Sequence, residues 1–211
     1  LDSLRYFNNK LDLKHKILYL PLQFAPETTT LVSAVDQYDQ LSMIKKMSIY
    51  IPPDWKLVVK EHPSMIGKRS YNFYKELNKI YNVFIINPLY NSLDLVNKSA
   101  AVITVSGTTG LEAYALGKPS LVLGDIHYDI LKGIKKISNY YEIYEILKNI
   151  DPEVHHQENN KNELYKFMSA IRFGNFIENK NDEFWTNKTF EDNILDTDKQ
   201  IANNFYNFLI N

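Results

Sequence analysis

Residues 101–117 read Ala101-Val-Ile-Thr-Val105, then Ser106-Gly107-Thr108-Thr109-Gly110, then Leu111-Glu112-Ala113-Tyr-Ala-Leu116-Gly117. The first five are apolar or β-branched without alternation, as in a parallel strand covered on both faces. The next five are small and polar, with two glycines where backbone turns or approaches something closely. Thr109–Leu116 follows as a helix, stopped by Gly117 and Pro119. The unit is strand, tight polar turn, helix, and it recurs. Ile17–Leu22, Leu57–Lys60, Val83–Asn87 and Ser120–Leu123 are further unbroken apolar runs. Helical patterns lie between them: Leu31–Ile49 after Thr28-Thr29-Thr30 and before Pro52-Pro53, Tyr71–Ile80 with Ser70 as N-cap, and Ser92–Asn97. Strands alternating with helices give the α/β class, a Rossmann-like open parallel sheet flanked by helices.

Past residue 138 the strand signal fades. Asn139–Ile150, Leu164–Ile171 and Lys199–Ile210 read as helices, and Asp151–Asn162 as a polar loop. The organisation expected is a linker remnant over 1–15, a Rossmann-like unit over 16–150, and a helical C-terminal extension over 151–211 packed on that unit. Leu1-Asp2-Ser3 has no initiator Met and no basic or apolar leader region, and reads as the cut start of a longer protein.

The chain has 211 residues, 24 basic and 25 acidic side chains, and no cysteine. Thiol catalysis and cysteine zinc sites are excluded, and the basic footprint of a nucleic-acid binder is absent. No apolar run is long enough for a transmembrane helix. Residues 1–150 carry 18 basic and 14 acidic groups, whereas 151–211 carry 6 and 11. A mildly basic body suits a small anionic ligand and equally an ordinary solvated surface. Of seven glycines, Gly107, Gly110, Gly117 and Gly124 fall within eighteen residues, which concentrates unusual backbone in one place.

In an open α/β sheet ligands bind beyond the carboxyl ends of the strands. Here those ends carry Gln23 to Thr28, Glu61-His62-Pro63, Pro88-Leu89-Tyr90, Ser106–Gly110, and Gly124 to Asp129. Ser106–Gly110 joins a buried strand to a helix, so free N–H groups and three hydroxyls can face one phosphate. It is neither a Walker loop nor GxGxxG. Thr109 and Glu112 also fit a capping box, which needs no ligand, and both readings stand. His62, held out of helical geometry by Pro63, can donate to a phosphate oxygen, with Lys60, Lys68 or Arg69 adding charge. It also reads as an exposed loop histidine. His155-His156 read as solvated. No metal-ligand spacing occurs, so neither a metal nor a cofactor is expected.

Tyr19-Leu-Pro-Leu-Gln23-Phe-Ala-Pro26-Glu27, Lys60-Glu61-His62-Pro63, Ser106–Ala113, Leu116-Gly117-Lys118-Pro119, and Gly124 with Tyr128-Asp129 together resemble the bacterial capsule polysaccharide biosynthesis family. That family includes Kdo transferases of the two-domain GT-B type. The resemblance covers about residues 16–140. It implies one half of a GT-B fold, the C-terminal donor-binding domain of a metal-independent glycosyltransferase. The donor implied is a nucleotide-sugar, CMP-linked such as CMP-Kdo. His62 and Pro63 would then meet the phosphate, Ser106, Gly107, Thr108, Thr109 and Gly110 would cradle it, and Glu112 would bond ribose hydroxyls. Glu27 and Tyr128 would complete the donor site. The general base and the saccharide or glycolipid acceptor site would belong to the N-terminal domain. A cytoplasmic protein, peripheral at the inner membrane, is implied. The chain departs from the family at Gln23, where His is frequent, at Ala25, where Gln is, and at His127, where an aromatic is. Related readings are a nucleotide-sugar 2-epimerase, a CDP-polyol phosphotransferase, and a non-catalytic carbohydrate or assembly module.

Overall fold

The structure is a computed structural model that describes residues 5–11, 13–24, 39–150 and 157–172. Its centre is one parallel sheet of six strands: β1 (Lys16–Pro21), β2 (Trp55–Lys60), β3 (Val83–Ile86), β4 (Ala101–Thr104), β5 (Ser120–Val122) and β6 (Ile134–Lys136). The strand order is β3-β2-β1-β4-β5-β6. β1 pairs with β2 from Lys16 opposite Trp55 to Pro21 opposite Lys60, and on its other side Leu18 faces Ala101. The chain therefore winds outward twice from β1, and its direction of winding reverses between β1 and β4.

Alternation along each strand divides the core into two. Leu18, Leu20, Leu57, Val59, Ile85, Ile103 and Leu121 face one side. There they meet α1 (Gln40–Ser48), α2 (Tyr71–Leu77) and α5 (Tyr141–Lys148) through residues such as Met47, Tyr74 and Leu147. Ile17, Tyr19, Val58, Val102 and Val122 face the other side. There they meet α3 (Ser92–Lys98), α4 (Thr109–Ala115) and α6 (Gln157–Arg172) through Leu95, Tyr114 and Phe167. Both faces are covered, which is why the strands read as unbroken apolar runs. Each fully buried aliphatic side chain contributes about 1.5–3 kcal/mol.

Local signals set the helix starts. Asp39 caps α1 by accepting the Ser42 N–H at 3.1 Å. Ser70 caps α2, and Asn91 caps α3 at 2.9 Å from the Asp94 nitrogen. Just past the end of α4, Gly117 takes a φ of 73°, which lets Lys118 N–H reach back to the Ala113 carbonyl at 2.8 Å.

The structure departs from the sequence reading in places. Within the expected helix Leu31–Ile49, α1 begins at Gln40 because Asp39 is a non-helical N-cap, at φ −80° and ψ 84°; residues 31–38 of that expectation lie outside the described residues. β6 was not anticipated: only Ile134 of its three residues is buried, so an edge strand leaves almost no apolar signature. α6 begins at Gln157, inside the stretch read as a loop, and buries Leu164 and Phe167 completely. Lys199–Ile210 and His155-His156 lie outside the described residues. Residues near the start, read as linker, run along β3: Asn8 bridges Ile86, and Phe7 packs edge-on against Tyr74 at 5.1 Å.

Candidate functional site

The carboxyl ends of β1, β2 and β4 lie side by side at the reversal point, so Gln23, Glu61-His62 and Ser106–Gly110 share one edge. A buried polar network ties the first two together. Glu61 is fully buried and accepts four hydrogen bonds: Arg69 Nε at 2.6 Å, Arg69 Nη2 at 3.4 Å, the Tyr74 hydroxyl at 2.7 Å and the His62 N–H at 2.8 Å. Arg69 Nη2 also donates to the Gln23 carbonyl at 2.9 Å. Gln40 closes the loop, accepting the Gln23 N–H at 2.9 Å and donating to the Gln23 carbonyl at 3.2 Å. A buried carboxylate is tolerable only when so fully bonded.

This network changes the part expected of Arg69. Its guanidinium is committed to Glu61 and Gln23 and does not stand open to a phosphate. Lys60 is likewise turned inward, 6% exposed, with Nζ donating to Ser92 Oγ at 2.9 Å. Burial pushes its ammonium below the usual lysine range. Of the three cations, exposed Lys68 is the one left at the surface, its Nζ 5.5 Å over the Phe24 ring.

His62 is exposed and opens a short 3-10 turn, Pro63–Met65. Its Nδ1 accepts the Ser64 N–H at 3.2 Å. An accepting Nδ1 carries no proton, so Nε2 holds it and is the donor. The ring packs edge-on against Phe24 at 5.9 Å. Pro63 sets the turn that makes this bond.

The Ser106–Gly110 loop is held from below. Gly107 N–H donates to the buried Thr104 Oγ1 at 3.1 Å, and the Tyr128 hydroxyl donates to the Gly107 carbonyl. Tyr128, expected against the donor, is fully buried beneath the loop and supports it from the inner side. Burial raises its pKa, so the hydroxyl stays protonated and donates. Gly110 is there for room: a Cβ would stand 2.5 Å from the Tyr128 oxygen and 3.0 Å from Ser120 Oγ. The Gln23 amide lies 3.4 Å from where a Cβ of residue 107 would be, which brings the β1 end against the loop.

The capping box does not form. The N-cap of α4 is Thr108, not Thr109, and its side chain caps no backbone N–H. Thr108 Oγ1 donates instead to Glu112 Oε1 at 3.2 Å. The box needs an extended N-cap, whereas Thr108 is already helical at φ −67°, ψ −17°. Ser106 Oγ is a buried oxygen without a hydrogen-bond partner. Glu112 sits one turn into α4, and burial raises its carboxyl pKa. Glu27, with Pro26, falls within 25–38 and outside the described residues. His127, at a family departure, stacks on Phe167 of α6 at 6.0 Å and 8°.

Sequence reasoning missed Glu61 and Gln40. The Glu61-His62-Pro63 run was visible, but nothing in it marked the carboxylate as inward-facing.

The family described as "Capsule polysaccharide biosynthesis protein" matches residues 8–166. The capsule polysaccharide export protein KpsS of Escherichia coli is 27% identical over 143 residues, which are 65% of this chain and 36% of that protein. The chain thus spans about a third of the length of that curated relative. Among solved structures, the β-Kdo 2,7 transferase of KpsC from Thermosulfurimonas dismutans superposes with a TM-score of 0.50 at 20% identity. The superposition covers 66% of this chain and 44% of that one. At that identity the likeness is one of fold. No helix among the described residues is long and apolar enough to cross a membrane.

Proposed function

Because the chain belongs to the capsule polysaccharide biosynthesis family, we propose that it is the donor-binding part of a glycosyltransferase of bacterial capsule or surface polysaccharide synthesis. The donor is a nucleotide-sugar, CMP-linked such as CMP-Kdo. The observation that carries this reading is the unmet Ser106 Oγ in a loop that also starts a helix. A buried hydroxyl without a partner costs about 1–3 kcal/mol, and a phosphate oxygen over the loop would meet it. Thr108 and Thr109 add hydroxyls, and the first turn of α4 adds N–H groups.

In this reading the acceptor hydroxyl bonds to the anomeric carbon as the carbon–oxygen bond to the nucleotide phosphate breaks. The phosphate leaves with the electron pair. Its charge is met by the loop N–H groups, the Ser106 and Thr109 hydroxyls and the Nε2 proton of His62, without a metal. Glu112 bonds the ribose hydroxyls. The acceptor proton passes to a base in the partner domain, so the 211-residue chain alone transfers sugar poorly. The acceptor is a saccharide or glycolipid, and the protein works in the cytoplasm, peripheral at the inner membrane.

Calorimetric titration with CMP, CDP, UDP and GDP tests the proposal, repeated on His62→Ala and on Ser106→Ala with Thr109→Ala. CMP should bind best and lose at least about tenfold in each variant, the worth of one charge-assisted hydrogen bond. A preference for UDP would shift the reading to hexose transfer or epimerisation. No nucleotide binding at all would overturn it.

A further inference from the structure

At the amino-terminal edge of the sheet, opposite the Ser106 loop, a groove of about 670 Å³ opens between α4, the start of β5, the Lys132-Gly133 turn and α6. That volume lies within the range of small-molecule sites. Its floor includes Leu121, Ile146 and Ile150, and its rim carries Lys118, Lys132, Lys135 and Lys166. Among the described residues the one lining carboxylate is Glu163, 3.7 Å from Lys166.

Lysines often gather where helix C-termini need them. That accounts for Lys118, just past the end of α4, but not for the rest of this rim. Lys132 lies in a turn and Lys135 in the edge strand β6. Lys118 is half-buried, no ion pair joins it to a carboxylate among the described residues, and desolvation lowers its pKa. Charge held there without a counter-ion is a standing cost that an anion would relieve.

A second observation is independent of the lysines. Tyr114 is 1% exposed and lines the groove, yet its hydroxyl has no hydrogen-bond partner. Its ring passes 3.5 Å from where a Cβ of Gly133 would stand. Its carbonyl is used, accepting Asn160 Nδ2 at 2.8 Å, which leaves the hydroxyl as the unmet group. Burial first, and Glu163 second, keep that hydroxyl protonated, so it is a donor without an acceptor.

We propose that this groove is a second anion site, for a small molecule bearing two or more phosphate or carboxylate groups. The lysines supply the countercharge, the Tyr114 hydroxyl donates one directed bond, and the aliphatic floor covers the ligand's body. The site stands apart from the donor edge and does not depend on the donor reading. Both sites nevertheless share α4, which carries Glu112 at one and Tyr114 at the other. Binding in the groove is independent of the donor reading; the ligand's role as effector, and not as transferred group, rests on that reading.

The test is calorimetric titration of the 211-residue chain with inorganic pyrophosphate and, separately, citrate. Four proteins are compared: the unaltered chain, Lys132→Glu with Lys135→Glu, Tyr114→Phe, and His62→Ala with Ser106→Ala. Circular dichroism confirms that each is folded. Binding of one or both probes should persist in the His62/Ser106 variant. It should weaken at least about tenfold on charge reversal and about fivefold in Tyr114→Phe, consistent with loss of ion pairs and of one hydrogen bond. The stronger probe tells phosphate from carboxylate chemistry. Binding indifferent to charge reversal, abolished by the His62/Ser106 change, or absent for both probes would overturn the proposal.

Discussion

Arg69 Nε stands 2.6 Å from Glu61 Oε2, and both groups are withdrawn from solvent, at 11% and 0% side-chain exposure. The pair fastens the end of β2 to the end of β1, since the same guanidinium bonds the Gln23 carbonyl. It holds the start of the His62 turn against the end of β1.

Removing one partner strands the other. Arg69→Ala should cost about 3–5 kcal/mol, read as a fall in the urea midpoint. Replacing Glu61 and Arg69 together by apolar residues should cost less than Arg69→Ala alone. Lys68→Ala, at an exposed position, should leave the midpoint unchanged. If Arg69→Ala were as mild as Lys68→Ala, the network would not hold the edge together.

Gly110 and Tyr128 are sterically coupled. Gly110→Ala pushes a methyl against the Tyr128 oxygen, and overpacking of this kind costs about 1–3 kcal/mol. Tyr128→Phe alone should cost about 1–2 kcal/mol by leaving the Gly107 carbonyl unmet. The double variant should be more stable than the sum of the two losses predicts, because Phe removes the atom that clashes. Strict additivity in thermal unfolding would refute the contact.

Glu112 gives a pH signature. Its folded-state pKa is raised by desolvation, so between the ordinary carboxylate pKa of 4.5 and its own value the folded chain holds more protons than the unfolded one. Its contribution to stability is therefore fully present below pH 4.5 and is lost as pH rises through the folded-state value. Glu112→Gln should be more stable than the unaltered chain at pH 7, and that advantage should vanish near pH 4. A difference independent of pH would contradict the burial of this carboxyl.

Phe167 anchors α6, fully buried among the β1–β5 face residues and stacked on His127. Phe167→Ala should cost about 3–5 kcal/mol, and His127→Ala under about 1 kcal/mol, because the histidine is exposed. Chemical denaturation of the two variants gives the comparison.

The parts legible in sequence share one property. A strand covered on both faces must be apolar throughout, so β1 to β5 announced themselves, and Ser70 and the Gly117 stop marked helix ends by local chemistry. β6 did not, because an edge strand with one buried residue has no pattern to show. The start of α6 did not either, since Gln157-Glu158-Asn159-Asn160 is polar and its helix is secured only further on, by Leu164 and Phe167. The loop after β4 was visible as a candidate site because Ser, Gly and Thr at a strand end have few other uses. Whether its hydroxyls were engaged was not visible: Thr108 turned to Glu112, while Ser106 was left without a partner.

The α/β class, the strand-end segments and the capsule-family motifs follow from the order of residues alone, because burial pattern and turn chemistry are local properties. The tertiary structure decided what each charged or polar side chain does. Arg69 serves Glu61, Lys60 faces inward, Tyr128 supports the loop from beneath, and Tyr114 lines a groove on the far edge. Those roles depend on which groups are brought within hydrogen-bond reach across 8 to 46 residues of chain. Only the winding order of the sheet fixes that.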